Sequence, residues 1–519
     1  MSFTSLTFLV FLGVLVVLYY LVPRKFQWVL LLLASYAFYL WGGGKTVVYL
    51  LITTCTTYLA GRLLGALNSR LKALPAEERK ARKPAFDRKK KQVVLAACLL
   101  NFGLLYILKY WSFTAEVINN ASGLHLPAPD LLMPLGVSFF TFQSIGYVID
   151  CYRGKYAPQE NLGRYALFVS FFPQIIQGPI ARYDQLGPQL LEEHRLDWDQ
   201  LKYGIQLCMW GYFKKLVIAE RIGVMVNAVF SDVWGYSGSI MAAAVLGYSI
   251  QLYCDFSGGI DITRGVGQML GIEMAENFRR PLFALSLTEY WRRWHITLGA
   301  WMRDYVFYPI ALSKGFRKLG SFARKHFGGV MGKIFATSMA TFVVYFVIGI
   351  WHGANFRYIA YGFYNGGLIT AGLLLEPTFV KLRERIPIRW DGKAWHFFQM
   401  ARTSLIVFVG RYMTRAPRLL TALAMIRATV TDFQLQSLTD GTLLSFGLTA
   451  FDYWVVALGM VVVTAVEWYQ EKGGHVRKWM EGRSAVVQWA MVMIPLLVIV
   501  LLGAVGQGYV AAEFIYAQF

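Results

Sequence analysis

The chain is 519 residues long, 56% apolar, and carries a formal net charge of +21. Its positive mean hydropathy excludes an ordinary soluble globular domain. So basic a balance in a soluble protein would point to nucleic acid. Here the Lys and Arg collect between apolar runs, so they read as topology signals in preference to any nucleic-acid role.

Apolar runs of about 17–22 residues recur, each long enough to cross a hydrocarbon core of about 30 Å. The spacing predicts an all-α, polytopic integral membrane protein. Sixteen tryptophans and thirty tyrosines suit aromatic belts at the two interfaces. Cys55, Cys98, Cys151, Cys208 and Cys254 show no paired spacing and read as packing residues, with neither disulfide framework nor metal site.

In chain order, the runs near 5–22, 26–42 and 46–66 read as three helices joined by Pro23-Arg24-Lys25 and Gly42-Gly43-Gly44. The first has no basic segment before it and no cleavage pattern after it, so a retained helix is expected in place of a signal peptide. Arg70 to Lys91 is dense in Lys and Arg and is expected as a cytoplasmic loop. Three crossings precede it, which places the N-terminus outside. Val93 to Trp111 crosses outward, and Ser112 to Asp130, without Lys or Arg, reads as an external loop.

Pro134-Leu135-Gly136-Val137-Ser138-Phe139-Phe140-Thr141-Phe142-Gln143 begins the next crossing, which ends near Asp150. Phe171-Phe172-Pro173-Gln174-Ile175-Ile176-Gln177-Gly178-Pro179-Ile180 is too short and too broken to span. It reads as a re-entrant or interfacial element, tolerated only where protein covers it. Leu201 to Phe230 and Ala242 to Phe256 are further helices. The second runs into Asp255 and Asp261, which are either helix caps or partners for Arg264 and Arg279.

Candidate chemistry concentrates between Trp291 and His352. Glu289-Tyr290-Trp291-Arg292-Arg293-Trp294-His295 opens this stretch, Trp301-Met302-Arg303-Asp304-Tyr305 follows, and the apolar run Ile334 to Ile350 ends against Trp351-His352-Gly353-Ala354-Asn355. Ionisable side chains at membrane depth are costly, so a histidine closing an apolar run marks a functional site by default. The alternative is a histidine that only hydrogen-bonds between helices. Beyond it, Tyr358 to Leu375, His396 to Val409, Tyr453 to Val466 and Val486 to Val505 continue the crossings, and the parity leaves the C-terminus outside.

These blocks, with Asp255-Phe256-Ser257-Gly258 and Glu276-Asn277-Phe278, resemble the bacterial branch of the membrane-bound O-acyltransferase family. That branch contains alginate and peptidoglycan O-acetyltransferases and teichoic-acid D-alanyl transferases. The match is closest over 131–367. Gly259-Ile260 and Arg264 depart from many alginate-type members, so the resemblance fixes the family and leaves the acceptor open. It implies one membrane domain over 1–519, a bundle of about 11–13 helices with re-entrant elements and a central tunnel, in the bacterial cytoplasmic membrane. It implies His352 as the catalytic residue with His295 beside it. A neutral imidazole suits a general base that takes a hydroxyl proton during attack on a thioester. His295 would position the acyl carbonyl or pair with a carboxylate such as Asp304, or it is an interfacial residue beside Trp294. Arg292, Arg293 and Arg303 would meet the phosphates of acetyl-CoA, the acyl donor, or else anchor the interface. Trp294, Asp304, Trp351 and Asn355 complete the expected substrate-binding set, with no bound cofactor and no metal.

The tail, 508–519, ends Glu513-Phe514-Ile515-Tyr516-Ala517-Gln518-Phe519. Phe-x-Tyr-x-x-Phe resembles the C-terminal motif of the partner protein in D-alanylation, where a tyrosine is acylated. Tyr516 is therefore a candidate acyl carrier, seated by Phe514 and Phe519, or the tail is only a membrane anchor. The expected partners are membrane lipid, a glycan acceptor and an extracytoplasmic SGNH-like, serine-hydrolase-like transferase. D-alanyl transfer from a carrier protein is the alternative reaction. A transporter would also place His and Asp at membrane depth, but its paired broken helices in repeated halves are not found here. The topology is open to test in intact cells: a cysteine introduced near Lys80 is expected to be shielded from an impermeant external thiol reagent, and one near Gly123 to react. The reverse pattern would invert the protein in the membrane.

Overall fold

The computed structural model describes residues 2–129, 131–386 and 388–504 of the chain. Of the described residues, 81% are helical and none forms a strand. Among the described residues, six helical segments are long and apolar enough to cross a membrane: Arg24–Lys72, Ala76–Lys109, Gly238–Met269, Gly329–His352, Ala450–Glu471 and Ala485–Leu502. The chain divides into two compact units.

The first unit comprises most of residues 1–208 together with Gly259–Ala275. Ser5 caps the opening helix Leu6–Leu21, its hydroxyl accepting from the Phe8 N–H at 3.2 Å. Helices Gln27–Gly43 and Val47–Lys72 follow, as the apolar runs predict. The basic segment departs from expectation. Most of it is the exposed first half of one helix, Ala76–Lys109, with Glu77 and Glu78 in its first turn. Ala, Lys, Arg and Glu are strong helix formers, and acidic residues suit a helix N-terminus, so the helix starts well before its apolar part. The expected external loop is likewise half helix, Trp111–Ser122, ended by left-handed Gly123.

The broken segment around Pro173 is packed inside this unit, where the run Tyr165 to Ile180 is buried throughout. Gln143 donates to the Phe168 carbonyl at 2.6 Å and accepts from Gln174, supplying partners that a regular helix would have supplied. Gly136, at φ 68°, caps Val137–Arg153; a Cβ there would stand 1.9 Å from the Ile175 carbonyl oxygen, so only glycine fits. The two motifs are thus in backbone contact.

The second unit comprises Met209–Gly258 and the described residues from Glu276 onward. Its histidine-bearing helix Gly329–His352 packs against Phe356–Arg385 as a tight hairpin. A Cβ on Gly349 would lie 2.8 Å from the Cα of Gly362, so paired glycines let the backbones touch one turn before His352. The helix Gly238–Met269 runs straight through Asp255 and Asp261, so neither is a cap. Asp261 pairs with Arg264 at 3.8 Å, while Arg279 pairs with Glu276 at 2.9 Å.

Asp255 instead pairs with Lys215, which also meets Glu220 at 2.6 Å. Lys215 lies in a π-helical stretch, Phe213–Ala219, that widens the helix and turns both Lys214 and Lys215 inward. Removing one partner of a buried ion cluster leaves an uncompensated charge. Lys215→Met is therefore expected to cost about 3–5 kcal/mol of stability, read as a lower denaturation midpoint in mixed micelles. A variant as stable as the original would show that the pairing carries no weight in the fold.

Candidate active site

The two histidines predicted to act together meet in the second unit. His352 ends its membrane-spanning helix and is 5% exposed, and His295 is 2% exposed. Both are close to the Trp351 indole, whose ring centroid is 5.7 Å from that of His295 and 5.0 Å from that of His352. Tyr358 lies nearly parallel to the His352 ring at 6.2 Å, and Tyr361 meets it edge-on at 5.8 Å. Asn355 caps the following helix by accepting from the Arg357 N–H at 3.1 Å, which fixes the turn immediately after His352.

His295 sits in irregular backbone. Ser286 caps the short helix Leu287–Arg293, then the chain passes through His295 at φ 49° and ψ 52° and enters the helix Ile296–Met302. Left-handed backbone is uncommon for a side-chain-bearing residue and persists only when its surroundings over-determine it. Here the segment Asn277–Arg280 does so. Phe278 bridges to Trp294, the Arg279 N–H donates to the Arg293 carbonyl at 2.9 Å, and the Ile296 N–H donates to the Asn277 carbonyl at 3.0 Å. The Asn277 side chain reaches His295 Nδ1 at 3.2 Å. The structure therefore gives His295 an amide as neighbour, whereas Asp304 accepts from Arg303 Nε at 2.9 Å.

A second aromatic ring packs on the imidazole. Phe256 meets it edge-on at 4.9 Å. Trp294, beside it in sequence, stacks on Tyr290 at 5.6 Å and lies beneath the Arg411 guanidinium at 4.8 Å. Arg411 also donates to the Tyr290 hydroxyl at 2.7 Å. Trp294 thus packs in the aromatic cluster that includes Phe256 and Phe278. His295 lies outside the six spans, and burial, reinforced by repulsion from His352, holds its imidazole well below the ordinary histidine value. It is neutral at physiological pH and available as a proton acceptor.

The expected arginines separate. Arg293 is clamped between Glu289 at 2.6 Å and Glu471 at 2.9 Å, and Glu471 also holds Arg280 at 2.7 Å. Arg303 is exposed and paired with Asp304, and Arg292 is exposed. Tyr516, Phe514 and Phe519 lie outside the described residues. Sequence reasoning missed Asn277 and Arg411 as parts of the site. Asn277 stood in a quoted motif, but nothing local ties it to a histidine eighteen positions on.

Comparison with known proteins bears on this site. Residues 159–324 match the model of the membrane-bound O-acyltransferase family, a range that holds Asn277 and His295 and ends before His352. A protein of Pseudomonas syringae pv. tomato named "Probable alginate O-acetylase AlgI" is 32% identical over 85% of this chain and 78% of its own length. A Helicobacter pylori protein named "Peptidoglycan O-acetyltransferase" is 30% identical over 53% of this chain and 54% of its own. A Bacillus subtilis protein named "Teichoic acid D-alanyltransferase" is 27% identical over 55% of this chain and 69% of its own.

Proposed function

This chain belongs to the membrane-bound O-acyltransferase family and is an O-acyltransferase, and on that premise we propose that it moves an acetyl group from cytoplasmic acetyl-CoA towards an extracytoplasmic glycan. The observation that carries the reading is the pair of buried imidazoles that both pack against Trp351. The higher identity and coverage of the acetylase relatives favour acetyl over D-alanyl as the transferred group. The acceptor is an alginate-like or peptidoglycan-like polysaccharide, the substrates named for the acetylating relatives. The protein works as a multi-pass protein of the bacterial cytoplasmic membrane with both termini outside.

The chemistry follows from one base. A neutral His352 takes the proton of an attacking hydroxyl as its oxygen bonds to the thioester carbonyl carbon. The C–S bond then breaks, the imidazolium returns the proton to the departing thiolate, and the products are an O-ester and a free thiol. The donor is confined to the cytoplasm and the glycan to the outside, so a small acceptor that enters from outside solves the crossing better than the glycan itself. Tyr516 is that acceptor in this reading. A phenol has an ordinary pKa of about 10 and needs an adjacent base, which His352 supplies. Phe514 and Phe519 seat the tail by burial worth at most about 1.5–3 kcal/mol each, weak enough for the acylated tail to leave. An external serine-hydrolase-like partner then passes the acetyl group to a glycan hydroxyl and regenerates the tyrosine.

His352→Ala should lower acylation by about 10²–10⁴-fold, the usual worth of a positioned base, while the protein still inserts. Near-normal acylation by a well-inserted variant would remove His352 from the reaction. Tyr516→Phe keeps the packing of the tail and removes one hydroxyl. It should eliminate glycan acetylation at unchanged expression, and mass spectrometry of the C-terminal peptide should lose a one-acetyl adduct present in the original protein. A D-alanyl adduct would replace the donor assignment, and normal acetylation by Tyr516→Phe cells would reduce the tail to an anchor.

A further inference from the structure

We propose that Asn277 is a positioning residue that fixes His295 in the tautomer carrying its proton on Nδ1, leaving Nε2 as the acceptor nitrogen. Three polar contacts converge on one atom, Asn277 Oδ1: the Thr297 backbone N at 3.0 Å, the Thr297 hydroxyl at 2.9 Å and His295 Nδ1 at 3.2 Å. A backbone N–H can only donate, so the atom facing it must be the carbonyl oxygen of the carboxamide. Turning the amide over would set its NH2 group against that N–H, two donors face to face. The orientation of Asn277 is therefore decided by the backbone of Thr297, and its Nδ2 has no hydrogen-bond partner among the described residues.

With Oδ1 in place, the histidine has one choice. An Nδ1 without hydrogen would set its lone pair against a carbonyl oxygen at 3.2 Å. An Nδ1–H donates to it instead. The backbone holds the ring to this partner, because His295 is left-handed and Ile296 bonds to the Asn277 main chain at 3.0 Å. Asn277 is fully buried, so no solvent competes for its oxygen. The arrangement is the amide counterpart of a carboxylate that orients a catalytic histidine, without the negative charge that would favour an imidazolium.

The consequence for catalysis rests on the acyl-transfer reading above; the tautomer itself does not. A neutral His295 protonated on Nδ1 has no hydrogen on Nε2 to give to a carbonyl oxygen. It serves as an acceptor beside His352, and stabilisation of the developing oxyanion falls to other donors.

The test reads the tautomer without substrate. Full-length protein labelled with 15N-histidine and reconstituted in phospholipid bilayers contains seven histidines; the signals lost in His295→Gln identify the residue. The 15N spectrum should show a protonated Nδ1 and an unprotonated Nε2 at neutral pH. Asn277→Asp, which keeps an oxygen acceptor, should retain a proton on Nδ1, and Asn277→Leu should shift His295 to a mixture of tautomers. A proton on Nε2 in the unsubstituted protein, or an Nδ1–H untouched by Asn277→Leu, overturns the proposal. Should Asn277→Leu fail to fold, a correlation from the Nδ1 proton to the Asn277 side-chain carbonyl carbon in the unsubstituted protein decides the matter, and its absence overturns the assignment. Loss of acyl transfer with the Nδ1 tautomer intact would instead count against the proposed reaction.

Discussion

Asn277 Oδ1 gathers an imidazole 18 residues further on and a backbone amide and hydroxyl 20 residues further on into one buried point, and the geometry of the site depends on it. The reason is the environment. In a buried site every backbone polar group needs an internal partner, and a helix supplies one automatically. Between Glu276 and Ile296 only Leu287–Arg293 is α-helical, so partners for the rest of this backbone must come from elsewhere. The Phe278–Trp294 bridge, the Arg279–Arg293 and Ile296–Asn277 main-chain bonds and the Asn277 carboxamide provide them. The left-handed conformation of His295 is stable because this set leaves it no alternative.

Charge is handled by the same rule. Arg293 and Arg280 share Glu471, which ends the helix Ala450–Glu471, and Arg293 also holds Glu289 on its own helix. These bonds tie the histidine segment to a spanning helix, so the arginines set position instead of waiting for a ligand. Arg411 does similar work by lying over the Trp294 ring and donating to Tyr290. Lys215, between Asp255 and Glu220, shows the cost avoided: its buried charge is answered by two carboxylates.

The site then combines a rigid and a regular half. His352 is carried by a helix whose partner approaches through Gly349 and Gly362, so its position follows from helix packing. His295 is carried by irregular backbone locked by side chains. Membership of the acyltransferase family gives this pairing its chemical meaning, and relatives named for acetylation of alginate and of peptidoglycan differ in acceptor. An acceptor-independent core, built from histidines and aromatic walls, is compatible with that spread.

Much of this was legible in the sequence because hydropathy and motif are local. Apolar length announced the membrane helices, breaks at Pro173 and Gly178 announced buried irregular backbone, and His295 and His352 stood out as ionisable residues beside apolar runs. Where the helices end was less legible: Ala76–Lys109 extends through its basic part because helix propensity does not stop at the membrane surface. Apart from Asp261 with Arg264, the pairings were not legible. Whether Arg293 met a phosphate or Glu471, whether Asp255 capped a helix or met Lys215, and whether His295 faced Asp304 or Asn277 are questions of three-dimensional proximity between distant residues. Composition shows that charges inside a membrane need partners; only the tertiary structure decides which partner each one has, because hydrogen bonds and ion pairs are chosen by angstrom-scale distance and not by separation along the chain.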